Sequence, residues 1–112
     1  MKLLLTSGGI TNKSIANALF ELVDKKPENT SLVFIPTASN VERGDKNWLI
    51  NDLINLKNLN LKEIEIADIS ATEEKIWRPK LEQADVLFFE GGNAYCLYSK
   101  GGIDLDELVS FF

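Results

Sequence analysis

Apolar positions in this chain switch repeatedly between two spacings. Residues 2–6 are a short apolar run closed by Ser7-Gly8-Gly9, the pattern of a buried strand. Residues 13–25 change to helical spacing. Ile15, Ala18, Leu19, Leu22 and Val23 share one face, and Asn12 stands where it can cap the first turn. Pro27, Glu28 and Asn29 make the following turn. Leu32-Val33-Phe34-Ile35 is a second buried strand stopped by Pro36, and residues 37–45 read as a polar loop at its carboxyl end. A second amphipathic helix runs from residue 45 or 46 to 56, with Trp48, Leu49, Leu53, Ile54 and Leu56 inward.

Residues 62–69 read as a third strand with partial alternation. Ile64 and Ile66 share one face and Glu63 and Glu65 the other, which suits a partly wet strand near a sheet edge. Residues 71–83 have helical character broken at Arg78-Pro79, so the expectation is two short helical pieces. Asp85-Val86-Leu87-Phe88-Phe89 is the clearest strand, ended by Glu90-Gly91-Gly92. A helix is expected over 93–100, a break at Gly101-Gly102, and another helix from Leu105 to Phe112. The order βαβαβαβα predicts a parallel sheet with helices on both faces, with right-handed crossovers. A (β/α)8 barrel needs about 250 residues, so a doubly wound sheet is preferred. No repeat, low-complexity tract or linker divides residues 1–112, which read as a single α/β domain.

Charge and composition narrow the function. The 112 residues carry 17 Asp+Glu against 12 Lys+Arg, a net charge of −5, which argues against nucleic acid as a partner. No run of 18 apolar residues exists, so no membrane-spanning helix is expected. The opening Met1-Lys2-Leu3-Leu4-Leu5 is stopped by Thr6-Ser7-Gly8-Gly9, whereas a secretory apolar region needs about 7–15 residues. One cysteine, Cys96, forbids an internal disulfide, and a reducing cytoplasm is the expected compartment. The chain has no histidine. Neither a Ser-His-Asp nor a Cys-His unit can be built from these residues alone, nor a Cys/His zinc site, and no cofactor or metal is expected.

Ligands of open α/β sheets bind at the carboxyl ends of the strands. Three such ends stand out and should share one rim: Thr6-Ser7-Gly8-Gly9, Pro36-Thr37-Ala38-Ser39-Asn40 and Glu90-Gly91-Gly92-Asn93. Paired glycines at a strand-to-helix turn let the backbone take positive φ and aim bare N–H groups outward, as an anion or oxyanion site needs. The plainer reading is a tight turn that needs glycine for shape. Ser7 is not on a nucleophile elbow, because Leu5 stands where the elbow needs a small residue. Neither the dinucleotide nor the P-loop fingerprint occurs. Cys96 reads as a small buried hydrophobe, Trp48, Trp77, Tyr95 and Tyr98 as packing groups, and Glu63, Glu65, Glu73 and Glu74 as solvated surface.

Taken together, Leu3–Asn12, Phe34–Ser39 and Ala84–Leu97 resemble the N-terminal half of the peptidase E serine peptidases, which include aspartyl dipeptidases and are related to cyanophycinase. The resemblance implies a three-layer α/β/α sandwich with a parallel, flavodoxin-like sheet of the class I glutamine amidotransferase type, incomplete at its C-terminal side. It implies that the Gly91 and Gly92 backbone helps form an oxyanion hole, with Asn93 lining the pocket and Ser7 and Thr37 on the substrate rim. In that family the nucleophile sits on a Gly-x-Ser-Ala-Gly elbow beyond the helix that here starts at Leu105, and the histidine and acidic partner come later. None of the three falls within residues 1–112, so these residues are expected to be inactive alone, as a truncated product, a split gene or a proteolytic fragment. The competing functions are a small flavodoxin-like module holding an anion, and an assembly partner completing its sheet with another chain. Leu105, Leu108, Val109 and Phe112 make one helical stripe, so self-association or pairing with a missing C-terminal half is expected.

Overall fold

The computed structural model describes residues 2–6, 9–40, 43–90 and 94–98. Its strands are β1 (Lys2–Thr6), β2 (Ser31–Ile35), β3 (Glu63–Ile66), β4 (Val86–Phe89) and β5 (Ala94–Tyr98), in one sheet of order β1-β5-β4-β2-β3. β4, β2 and β3 are parallel, with Phe34 level with both Phe88 and Ile66. β5 is antiparallel to β4 and to β1, so β1 points the same way as the other three. The helices are α1 (Lys13–Val23), α2 (Thr37–Asn40), α3 (Asn47–Lys57) and α4 (Glu74–Gln83), with a 3-10 turn at Pro27–Asn29.

The central strands read as continuous apolar runs because both faces are covered. Leu32, Phe34, Val86 and Phe88 pack with Leu19 and Val23 of α1 and Leu56 of α3. Val33, Ile35, Leu87 and Phe89 pack with Trp77 and Leu81 of α4. Phe34 and Phe88 stack across the parallel pair at 5.6 Å between ring centroids. The result is an open α/β sheet with helices on both faces, compatible with the flavodoxin-like expectation. Asn12 caps α1 as expected, its side chain accepting from the Ile15 N–H at 2.9 Å. β3 lies at the sheet edge, with Glu63 and Glu65 exposed. At the start of β4, Asp85 accepts from Lys25 at 2.7 Å and from the Ser31 N–H at 3.0 Å, fixing it against β2.

Four local expectations are corrected. The helix expected over 93–100 is not formed, because Ala94–Tyr98 is β5. Its backbone pairs on both sides, Cys96 lying across from Leu4 on β1 and from Phe88 on β4, and a helix there would leave both neighbouring edges without partners. α4 runs through Arg78-Pro79 without a break. Trp77 and Leu81, one turn apart, are 5% and 0% exposed, and burial of roughly 1.5–3 kcal/mol for each large side chain outweighs a helix-interior proline of about 3 kcal/mol. Trp48 and Ile54 face outward rather than inward, 36% and 48% exposed, while Leu56 is buried and Leu49 and Leu53 pack on the core. The loop after β2 opens with a single helical turn, α2. The helix expected from Leu105 to Phe112 lies outside the described residues.

Candidate functional site

Because β1, β2 and β4 run the same way, their carboxyl ends share one rim, as the sequence implies. The chain leaving β1 reaches Gly9, buried with φ +76°, and Ile10, which joins the core on the α1/α3 side. A Cβ at Gly9 would lie 3.1 Å from Asp52 Oδ1 and 3.4 Å from Phe88 Cζ. A side chain there would need Asp52 to shift by a few tenths of an ångström and would hold the left-handed conformation that favours glycine.

Beyond Phe89, the Glu90 N–H donates to the Ile35 carbonyl at 3.0 Å and extends the parallel pair by one residue. Strand alternation places Glu90 on the face of Val86 and Phe88, toward α3, and it is only 4% exposed. Its carboxyl group is hydrogen-bonded to that of Asp52. Burial, then this hydrogen bond, then the charge of Asp52 push the Glu90 pKa up from 4.5 to about 8. Glu90 is therefore mostly a neutral carboxylic acid at pH 7, and its O–H is the donor to Asp52. Its Oε2 is buried without a partner. Thr6 pairs with Ala94 and Phe89 with Tyr95, so Glu90 comes level with Thr6 across β5. Thr6 Oγ1 is likewise buried without a partner. The rim on this face thus carries a neutral acid, a second carboxyl group and a hydroxyl, packed against Gly9.

Of the residues singled out from sequence, Thr37 is placed on the rim, but its hydroxyl is committed within the chain. It donates to Asp68 Oδ1 at 3.1 Å and accepts from the Ile69 N–H at 2.9 Å. Ser39 turns back, its Oγ donating to the Pro36 carbonyl at 2.8 Å, and its own carbonyl accepts from Lys46 Nζ at 2.6 Å. Ser7, Gly91, Gly92 and Asn93 lie outside the described residues, whereas their flanking residues Thr6, Gly9 and Glu90 stand on this rim. Cys96 lies on β5. Among the described residues no group of three or more His, Cys, Asp or Glu is placed to hold a metal ion, and no helix is long and apolar enough to cross a membrane.

Asp52 was not among the candidates read from sequence, and Glu90 entered only as part of the Glu90-Gly91-Gly92-Asn93 strand end. The signal was present at both. Asp52 stands with Leu49, Leu53 and Leu56 at i, i+3, i+4 and i+7, the spacing of the inward stripe. Glu90 continues the inward alternation of Val86 and Phe88.

An open α/β sheet with helices on both faces defines a class of proteins that bind their ligands at the carboxyl ends of the strands. The model of Peptidase family S51 matches residues 3–101, most of the chain, and the chain belongs to that family. This is the peptidase E family that the rim segments resemble, and it makes the chain a peptidase-family protein. No curated protein and no solved structure matches it.

Proposed function

We propose that these residues supply the oxyanion-binding half of a serine-type peptidase acting on short peptides. Membership of peptidase family S51 is the observation that carries this reading. Gly91 and Gly92 present backbone N–H groups to the developing oxyanion of the scissile carbonyl, where preorganised donors contribute most to acyl transfer. Asn93, Ser7 and Thr37 border the bound peptide, Thr37 through its backbone because its hydroxyl already holds Asp68 and Ile69. The serine nucleophile and its base lie on a second segment, either further along the polypeptide or on another chain, and that segment joins the sheet. The fold is that of the class I glutamine amidotransferase-like sandwich, and the working compartment is the cytoplasm.

The absence of histidine supports this division, since no residue pair in 1–112 suits activation of a serine near neutral pH. The test is hydrolysis of Asp-X dipeptides by the purified chain, alone and joined to a segment that carries a Gly-x-Ser-Ala-Gly elbow and a histidine. The expected result is no turnover alone and turnover when joined. Turnover by the isolated chain that follows it through purification, and is lost on Ser7→Ala, would overturn the proposal.

A further inference from the structure

Asp52 and Glu90 are the only carboxyl groups that the described residues bring together on the core side of the sheet. Nothing in the proposed peptidase chemistry uses them. Their placement is specific. Asp52 projects from the inward stripe of α3, Glu90 follows directly on the last residue of β4, and Gly9 packs so closely on Asp52 that a Cβ there would lie 3.1 Å from Oδ1. Two carboxyl groups bond to each other only through a proton, and two ionised ones repel.

We propose that Asp52 and Glu90 form a one-proton latch, a carboxyl–carboxylate hydrogen bond that pins α3 to the strand end from which the Gly91-Gly92 turn departs and that opens when the proton is lost. The surroundings favour an all-or-none response. Glu90 is buried, its Oε2 has no donor to stabilise a second negative charge, and among the described residues the charged group acting on it is Asp52. The neighbouring elements add no cation there. β2 contributes only Ser31, Leu32, Val33, Phe34 and Ile35. On α1, Lys13 and Glu21 are exposed, and on β1 the one charged residue, Lys2, is at the opposite end from Thr6. On α3, Lys57 is at the far end and exposed. Lys46, just before the helix, donates to the Ser39 carbonyl. β5 carries no Lys, Arg, Asp or Glu, and its titratable residues are Tyr95, Cys96 and Tyr98, so Cys96→Ser is the background for the test. The raised pKa of Glu90, about 8, puts the opening in mildly alkaline solution. If Gly91-Gly92 is the oxyanion turn proposed above, the latch sets its position. The latch itself does not depend on that reading, and its test requires no catalysis.

The experiment is amide hydrogen exchange of the 112-residue chain between pH 6 and 9, corrected for intrinsic exchange. The N–H groups of Glu90 and of α3 are read against that of Ala67, which bonds the Phe34 carbonyl between β2 and β3. Expected is a loss of protection approaching tenfold per pH unit above pH 8 at Glu90 and α3, a flat profile at Ala67, and a flat profile everywhere in Glu90→Gln, whose amide keeps a donor for Asp52. Equal profiles in the two chains, or none in the unsubstituted one, overturn the proposal. Carbon-13 titration of the Glu90 carboxyl in the unsubstituted chain decides independently if Glu90→Gln does not fold. A midpoint above 7 is required, and an ordinary glutamate midpoint near 4.5 rejects the latch.

Discussion

Replacing Gly9 by alanine should cost far more than the same change at Gly44, although both glycines have positive φ, +76° and +108°. At Gly44 a Cβ meets nothing within 4 Å, so only backbone strain opposes the methyl group, and the exposed loop has room to relax. At Gly9 the left-handed conformation costs a non-glycine residue roughly 1–2 kcal/mol. The new methyl group also stands 3.1 Å from Asp52 Oδ1 and 3.4 Å from Asp52 Cγ and Phe88 Cζ. Phe88 is fully buried and stacked on Phe34, so Asp52 must give way. Weakening its hydrogen bond to Glu90 adds about 1 kcal/mol or more. Alanine returns roughly 0.4–1 kcal/mol by restricting the unfolded chain. The net expectation is a loss of about 2 kcal/mol for Gly9→Ala, against about 1 kcal/mol or less for Gly44→Ala. Urea denaturation at pH 7 measures both, and the Gly9 cost should shrink in an Asp52→Ala background. If Gly9→Ala costs no more than Gly44→Ala, or its cost is unchanged without Asp52, then the packing described at this rim is wrong.

Stability should also fall with rising pH over a defined window. The unfolded chain releases the Glu90 proton near pH 4.5 while the folded chain holds it to about 8, so folding loses up to about 1.4 kcal/mol per pH unit between those values and levels off above them. Urea midpoints of Glu90→Gln should be free of this component, and parallel pH profiles for the two chains would contradict it. Pro79→Ala should raise stability by about 2 kcal/mol, because Pro79 is exposed within a helix that forms in spite of it. A neutral or negative change in thermal unfolding would mean that the proline is accommodated without cost.

How much of this was legible in the sequence depended on where the deciding interactions lay. α1, β2 and β4 were readable because one element's own spacing settles its burial. Leu19 and Val23 recur on a helical face, and Leu32–Ile35 and Val86–Phe89 are apolar throughout. β5 was not readable in this way. Ala94–Tyr98 has no period that separates strand from helix, and its state follows from the two edges it joins, β1 from the far end of the chain and β4. α4 was split at Pro79 because the local cost is visible in sequence, whereas the offsetting burial of Trp77 and Leu81 is tertiary. At the site, the shared rim followed from topology alone. The Asp52–Glu90 pair did not, because the two carboxyl groups belong to different elements, α3 and the end of β4, and only tertiary packing brings them to one face.

The central claim is that the Gly91-Gly92 turn of this S51-family chain is an oxyanion-binding element. Its most direct test is an amide NMR titration of the chain with acetate as the anion probe. The account predicts saturable downfield shifts centred on the Gly91 and Gly92 N–H groups, with Ser31 and Glu63, at the opposite ends of β2 and β3, unaffected. Unmoved Gly91 and Gly92 resonances, or shifts spread evenly over the surface lysines, would contradict it.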